Sequence, residues 1–183
     1  MFKIKDTLIP GCFEIVPRLM EDKRGRFVKV FHQREYEKLG LQTSFLEEYY
    51  SFSEKSVVRG LHFQAPPSDH VKLVYCVHGE VKDVVVDIRK GSPTFGKTVS
   101  IILSAKNANL LYIPSGLAHG FCVTSKNAIM VYKVSTIYDP TRDNGIHWNS
   151  ININWPTKNP IISTRDSEFP TLDKFQTPFK YDF

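Results

Sequence analysis

Apolar and polar positions alternate over short distances along much of this chain, and few stretches carry a helical period. Phe27-Val28-Lys29-Val30-Phe31 alternates as a half-buried strand does. Residues 34–39 are polar and helix-compatible, and Gly40 follows as a stop. The middle of the chain is dense in strand signals. Residues 73–77 read as one strand, His78-Gly79 as a turn and residues 81–88 as the returning strand, which together predict a hairpin. Further strands are predicted at residues 98–103, 110–113, 120–123 and 128–134. Short strands at close, even spacing with turns between them suggest an all-β barrel or jelly roll. A Rossmann architecture fails, because strands and helices do not alternate and no G-x-G-x-x-G follows a strand. From Pro140 onward the chain is rich in Asn, Pro, Ser and Asp, and contains Trp148 and Trp155. That tail is expected to wrap the barrel as loops and short helical pieces.

Composition adds bounds. The 183 residues suit one domain over 1–183, with no linker, repeat or low-complexity segment. With 42% hydrophobic and 23% charged residues, the chain reads as an ordinary globular protein. No apolar run approaches a membrane span, and the first residues lack the pattern of a secretory signal, so the cytoplasm is the expected location. Cys12, Cys76 and Cys122 are far apart and odd in number, which suits buried thiols better than a disulfide framework or a zinc site. The net charge of +5 is dispersed along the chain. Such an excess weakly favours an anionic ligand such as a nucleotide diphosphate over a nucleic-acid groove, although on charge alone a solvated basic surface is the simpler reading.

Two stretches carry candidate chemistry. The first is Arg59-Gly60-Leu61-His62-Phe63-Gln64, followed by Pro66-Pro67, His70, Lys72 and Gly79. The second is Ile113-Pro114-Ser115-Gly116-Leu117-Ala118-His119-Gly120-Phe121. The second resembles the P-x-G-x-x-H stretch of cupins. The first resembles their opening stretch, H-x-H, then a Glu, then a Gly after six residues. Gln64 stands where a metal cupin has its second histidine, and Lys72 where it has its glutamate. An ammonium has no lone pair and repels a divalent ion, so no metal is expected. A fixed positive charge could instead stabilise an enolate oxygen, as a metal would by Lewis acidity. A lone strand histidine is most often packed core. The linked set His62, Lys72, Gly79, Pro114, Gly116 and His119 carries the signal.

The chain resembles the dTDP-4-dehydrorhamnose 3,5-epimerase family of the cupin superfamily. The matching pieces include Asp22-Lys23-Arg24-Gly25-Arg26-Phe27, VVRGLHFQ, KLVYCVHGEVKDVVVDIRKGSPTFG, LSAKN, LYIPSGLAHGF, YKVSTIYDP, GIHWN and WP, in the family's order. The resemblance implies a mostly β, cupin-type jelly-roll barrel with a few short helices, its N-terminal strands exchanged in a homodimer. It implies an isomerase without cofactor, inverting carbon 3, carbon 5 or both of a nucleotide-linked 4-keto-6-deoxy sugar, in deoxysugar biosynthesis for surface polysaccharide. His62 would be the base, oriented by Asp166, and Tyr132 the acid on the other face of the sugar. Lys72 would face the enolate, with His119 beside it. Arg24, Arg59 and Arg165 would hold the diphosphate, Tyr138 would line the sugar pocket and Phe27 would stack on the base. Arg24 and Phe27 would serve the partner's site.

The sequence departs from the family where Glu47-Glu48-Tyr49 replaces the usual Gln-Asp-Asn and where Lys29 replaces a Glu. Carboxylates only accept hydrogen bonds, whereas amides also donate, so dTDP, CDP and GDP all stay open as the carrier. A 3,4-keto-isomerase of the same barrel type and a non-catalytic sugar-binding cupin remain alternatives. So does a metal-dependent cupin, against which Gln64 and Lys72 argue.

Overall fold

The computed structural model describes residues 1–181. The chain begins with β1 (Phe2–Asp6), β2 (Phe13–Pro17), the hairpin β3 (Leu19–Asp22) and β4 (Gly25–Val28), and the helix α1 (Gln33–Lys38). The barrel strands follow as β5 (Glu47–Glu54), β6 (Val58–Gln64), β7 (Lys72–His78), β8 (Glu80–Asp87), β9 (Thr98–Ser104), β10 (Leu110–Ile113), β11 (Leu117–Val123) and β12 (Asn127–Val134). A short β13 (Asp143–Gly145) and the helix α2 (Thr164–Glu168) complete the order.

Two antiparallel sheets face each other. One runs β1-β2-β10-β7-β12-β5 and the other β13-β6-β11-β8-β9. Their inner faces share a core that includes Val74, Val81, Val85, Leu111, Phe121 and Met130. Alternation builds it: along β12, Ala128, Met130, Tyr132 and Val134 point inward while the residues between them are only half-buried. The outer face of the five-stranded sheet is not left to water. Val84, Val86, Ala118 and Cys122 pack there against Ile146, Ile153, Trp155 and Phe179 of the C-terminal segment. That explains why β8 and β11 are apolar on both faces, and it is the expected wrapping of the tail. The outer face of the other sheet is covered by α1 and its flanks, with Tyr36 fully buried.

Most strands lie where the alternation predicts them. The turn after β7 has Gly79 at φ +74°, where an added Cβ would stand 2.1 Å from the Asn127 carbonyl oxygen, so only glycine fits. Helix α1 covers residues 33–38, and Gly40 follows at φ +69°. One expectation needs correction. The predicted half-buried strand at 27–31 ends at Val28, and Phe27 is 59% exposed. Among the described residues hairpin β3–β4 pairs only with itself, and Leu19, Met20 and Phe27 stay exposed. It is tethered to the barrel by Arg26, whose guanidinium donates to the carbonyls of Ala105 and Lys106.

Candidate active site

A cavity of about 410 Å³ opens between the two sheets. Strand β6 brings His62 and Arg59 to it, β7 brings Lys72, β11 brings His119 and β12 brings Tyr132. Tyr138 lines it from the loop after β12, and Arg165 from α2. Of the residues given a role from sequence, Asp166 stands behind His62 rather than in the lining, and Arg24 and Phe27 stand apart on the β3–β4 hairpin. There Arg24 pairs with Asp22 at 2.6 Å.

His62 is held by the chain's tail. Its Nε2 lies 2.8 Å from Oδ1 of Asp166. The other carboxylate oxygen accepts the Gly60 amide at 2.9 Å, and the Asp166 amide donates to Ser163 Oγ, which caps α2. Gly60 also lets β6 lie close to β11: a Cβ there would stand 2.6 Å from the Cα of Gly120 on that strand. With Nε2–H donating to Asp166, Nδ1 keeps its lone pair. Burial lowers the pKa of His62, and the cations Lys72 and Arg165 add to that, against the pull of Asp166. His62 is therefore neutral near pH 7, as a base must be. Burial alone would raise Asp166, but its hydrogen bonds from His62 and Gly60 hold it below the usual carboxylate range.

Lys72 is almost fully buried, and its ammonium donates to the His62 carbonyl oxygen at 3.1 Å. Burial brings its pKa down to about 8, with Asp143 and Asp83 pulling the other way. It is thus a cation whose charge is poorly solvated and free to meet a developing oxyanion. Gln64, at the position of a second cupin histidine, is committed elsewhere: it accepts from the Asp139 amide at 2.7 Å and donates to the Ser68 carbonyl at 2.7 Å.

His119 lies directly opposite His62 in the β6–β11 ladder. Its Nε2 meets both oxygens of Asp83, at 3.0 and 2.9 Å, and both residues are buried. Tyr132 faces the cavity from the other sheet. Burial holds its phenol above its ordinary pKa, so it remains a proton donor. Its hydroxyl lies 3.3 Å from Ser51 Oγ. Arg59 donates to Ser53 Oγ at 2.9 Å, and Arg165 pairs with Asp143 at 2.8 Å.

Sequence reasoning missed several residues in or just behind the cavity wall. Asp83 is in phase with the inward-facing Val81 and Val85, and a carboxylate in that position must have a partner; that phase was the available signal. Asp143 also escaped, and it binds both Arg165 and the Tyr138 hydroxyl. Of the three departures on β5, Glu47 and Tyr49 line the cavity, whereas Glu48 pairs with Lys133 at 2.5 Å.

The chain matches the family model described as dTDP-4-dehydrorhamnose 3,5-epimerase over residues 6–174. The chain belongs to that family. It is 48% identical to the dTDP-4-dehydrorhamnose 3,5-epimerase of Shigella flexneri, over 87% of this chain and 90% of the relative. A dTDP-4-dehydrorhamnose 3-epimerase from Streptomyces niveus is 39% identical, over 91% and 82%. The solved structure of a dTDP-6-deoxy-D-glucose-3,5-epimerase from Legionella pneumophila, in complex with dTDP-4-keto-L-rhamnose, superposes with a TM-score of 0.95 at 37% identity, covering all of both chains. The two packed sheets are thus the cupin jelly roll of this family, and the protein is an isomerase, an epimerase of nucleotide-linked 4-keto-6-deoxy sugars.

Proposed function

We propose that this epimerase inverts carbons 3 and 5 of its sugar with His62 as base and Tyr132 as acid. The observation that carries the reading is their placement on opposing sheets, His62 on β6 and Tyr132 on β12, across one cavity. Inversion requires a base on one face of the sugar ring and an acid on the other. Nδ1 of His62 takes the proton from the carbon beside the ketone, and the C–H electron pair moves into the ring, placing negative charge on the C4 oxygen. The Lys72 ammonium, with His119 beside it, stabilises that enolate. The Tyr132 hydroxyl then delivers a proton to the opposite face, the carbonyl re-forms, and the phenolate and imidazolium exchange protons with water. No electrons leave the substrate, so the cycle needs no redox cofactor, and the Lys72 ammonium takes the part a Lewis acid would play at the enolate oxygen. Asp166 keeps the imidazole in the productive tautomer.

Arg59 and Arg165 are proposed to bind the diphosphate, with Tyr138 against the sugar. Arg24 and Phe27 are proposed to reach the site of a second copy of the chain in a homodimer. Their exposure on a hairpin that, among the described residues, pairs only with itself supports this reading. The three free thiols suit a reducing compartment, in keeping with work in the cytoplasm on precursors of surface polysaccharide. The test offers 4-keto-6-deoxy sugars on dTDP, CDP and GDP in deuterium oxide. Deuterium entry at both carbons on one carrier supports the reading and names the carrier. No exchange on any of them would overturn it.

A further inference from the structure

The acid Tyr132 is held more closely than its single long hydrogen bond suggests. Tyr49 stands directly opposite it in the β5–β12 ladder. The two rings are stacked, with centroids 4.9 Å apart and 16° between their planes. Ser51, two residues along and on the same inward face, meets the Tyr132 hydroxyl at 3.3 Å. The His119 ring lies steeply inclined to it, at 6.2 Å and 68°. Tyr132 is therefore supported at its hydroxyl and by two rings. The two rings differ. His119 is buried and bound to Asp83, whereas Tyr49 stays 44% exposed and itself lines the cavity. It is at once the backing of the acid and part of the wall the sugar meets. Burial, together with Glu47 and Asp143, raises the Tyr49 phenol to about 12. It is neutral in the working range, so it contributes an aromatic surface and not a charge.

We infer that Tyr49 is a positioning residue for Tyr132: its ring stack fixes where the acid stands over the sugar, and so sets how protonation is divided between carbons 3 and 5. The inference rests on Tyr132 being the acid, as proposed above. Both carbons flank the ketone and both are acidified by it, so base strength cannot choose between them. Geometry can, because a misplacement of about 1 Å at a reacting group costs on the order of a hundredfold. A stack against a half-exposed residue on an edge strand is adjustable without disturbing the core.

The test compares the full-length wild type with Tyr49→Leu, Tyr49→Ala and Tyr49→Phe. The readouts are kcat, KM and deuterium entry at each carbon by NMR. Removing the stack (Leu or Ala) should lower kcat about tenfold, leave KM within about threefold, and change the C3-to-C5 ratio at least about threefold. Tyr49→Phe, which keeps the ring, should restore the wild-type ratio. Thermal unfolding shows that each variant is folded, and Leu keeps bulk should Ala fail. An unchanged ratio in both Leu and Ala would overturn the inference, as would a rise in KM alone or a Phe variant as altered as Ala. A parallel Tyr132→Phe separates the two levels. If it exchanges and inverts like the wild type, the acid assignment itself falls. If it is impaired while the Tyr49 variants are silent, only the inference falls.

Discussion

The barrel contains two histidine–carboxylate pairs side by side, and they are built differently. His62 and His119 face each other across one ladder, and each places Nε2 within 3.0 Å of an aspartate. Asp83, the partner of His119, projects from the middle of β8 with no exposed surface. Asp166, the partner of His62, comes from a short helix in the tail, more than a hundred residues away in sequence, and is gripped by Gly60 and Ser163. His62 keeps 28% of its side chain accessible and His119 only 3%. Both rings line the cavity, but His62 keeps far more accessible surface than His119, which suits it better to the proposed role of base.

Substitutions should widen that contrast. His62→Asn should lower deuterium exchange at both carbons by about 10³-fold or more, the scale of a lost general base, while nucleotide binding by calorimetry stays near wild type. Lys72→Met should cost about 10²- to 10³-fold in kcat, as loss of an oxyanion-stabilising donor does. Asp166→Asn should slow turnover by about a hundredfold or less and move the acid limb of kcat/KM to lower pH, because the carboxylate pulls the His62 pKa upward. Asp83→Asn should act on the fold: a lower unfolding midpoint, corresponding to about 3 kcal/mol for a broken buried pair, with a smaller change in kcat than Asp166→Asn. The smallest effect is in the wild-type pH profile. Exchange should rise with pH through the pKa of His62, below the ordinary histidine value, since the base acts deprotonated. It should fall as Lys72 loses its proton at about pH 8. Lys72→Met should lack that alkaline limb.

The parts of the molecule legible in its sequence are those where one chain decides the environment. Strands β7, β8 and β12 could be read because their inward positions alternate and Gly79 marks the turn between the first two. The candidate site could be assembled because His62, Lys72 and His119 fall in fixed motifs and family resemblance added Tyr132 and Asp166, and the structure gathers all five around one cavity. Strands β5 and β6 were not resolved as strands. The first carries Glu47, Glu48 and Glu54 on an edge, and the second has Gly60 in its interior, which interrupts the strand pattern in the sequence. The strand predicted at 27–31 overran because Val30 and Phe31 leave the hairpin and pack beside α1, Phe31 against Tyr36 and Phe45. Tyr49 could be seen as a departure from the family pattern, but its ring stack depends on the β5–β12 register, which no local pattern specifies.

The central claim is that base and acid act from opposite walls, and Tyr132→Phe in deuterium oxide tests it most directly. With the acid removed and the base intact, deuterium should enter the starting sugar with retained configuration faster than inverted product appears. Equal losses of exchange and inversion would contradict the assignment of His62 and Tyr132 to opposite faces of the ring.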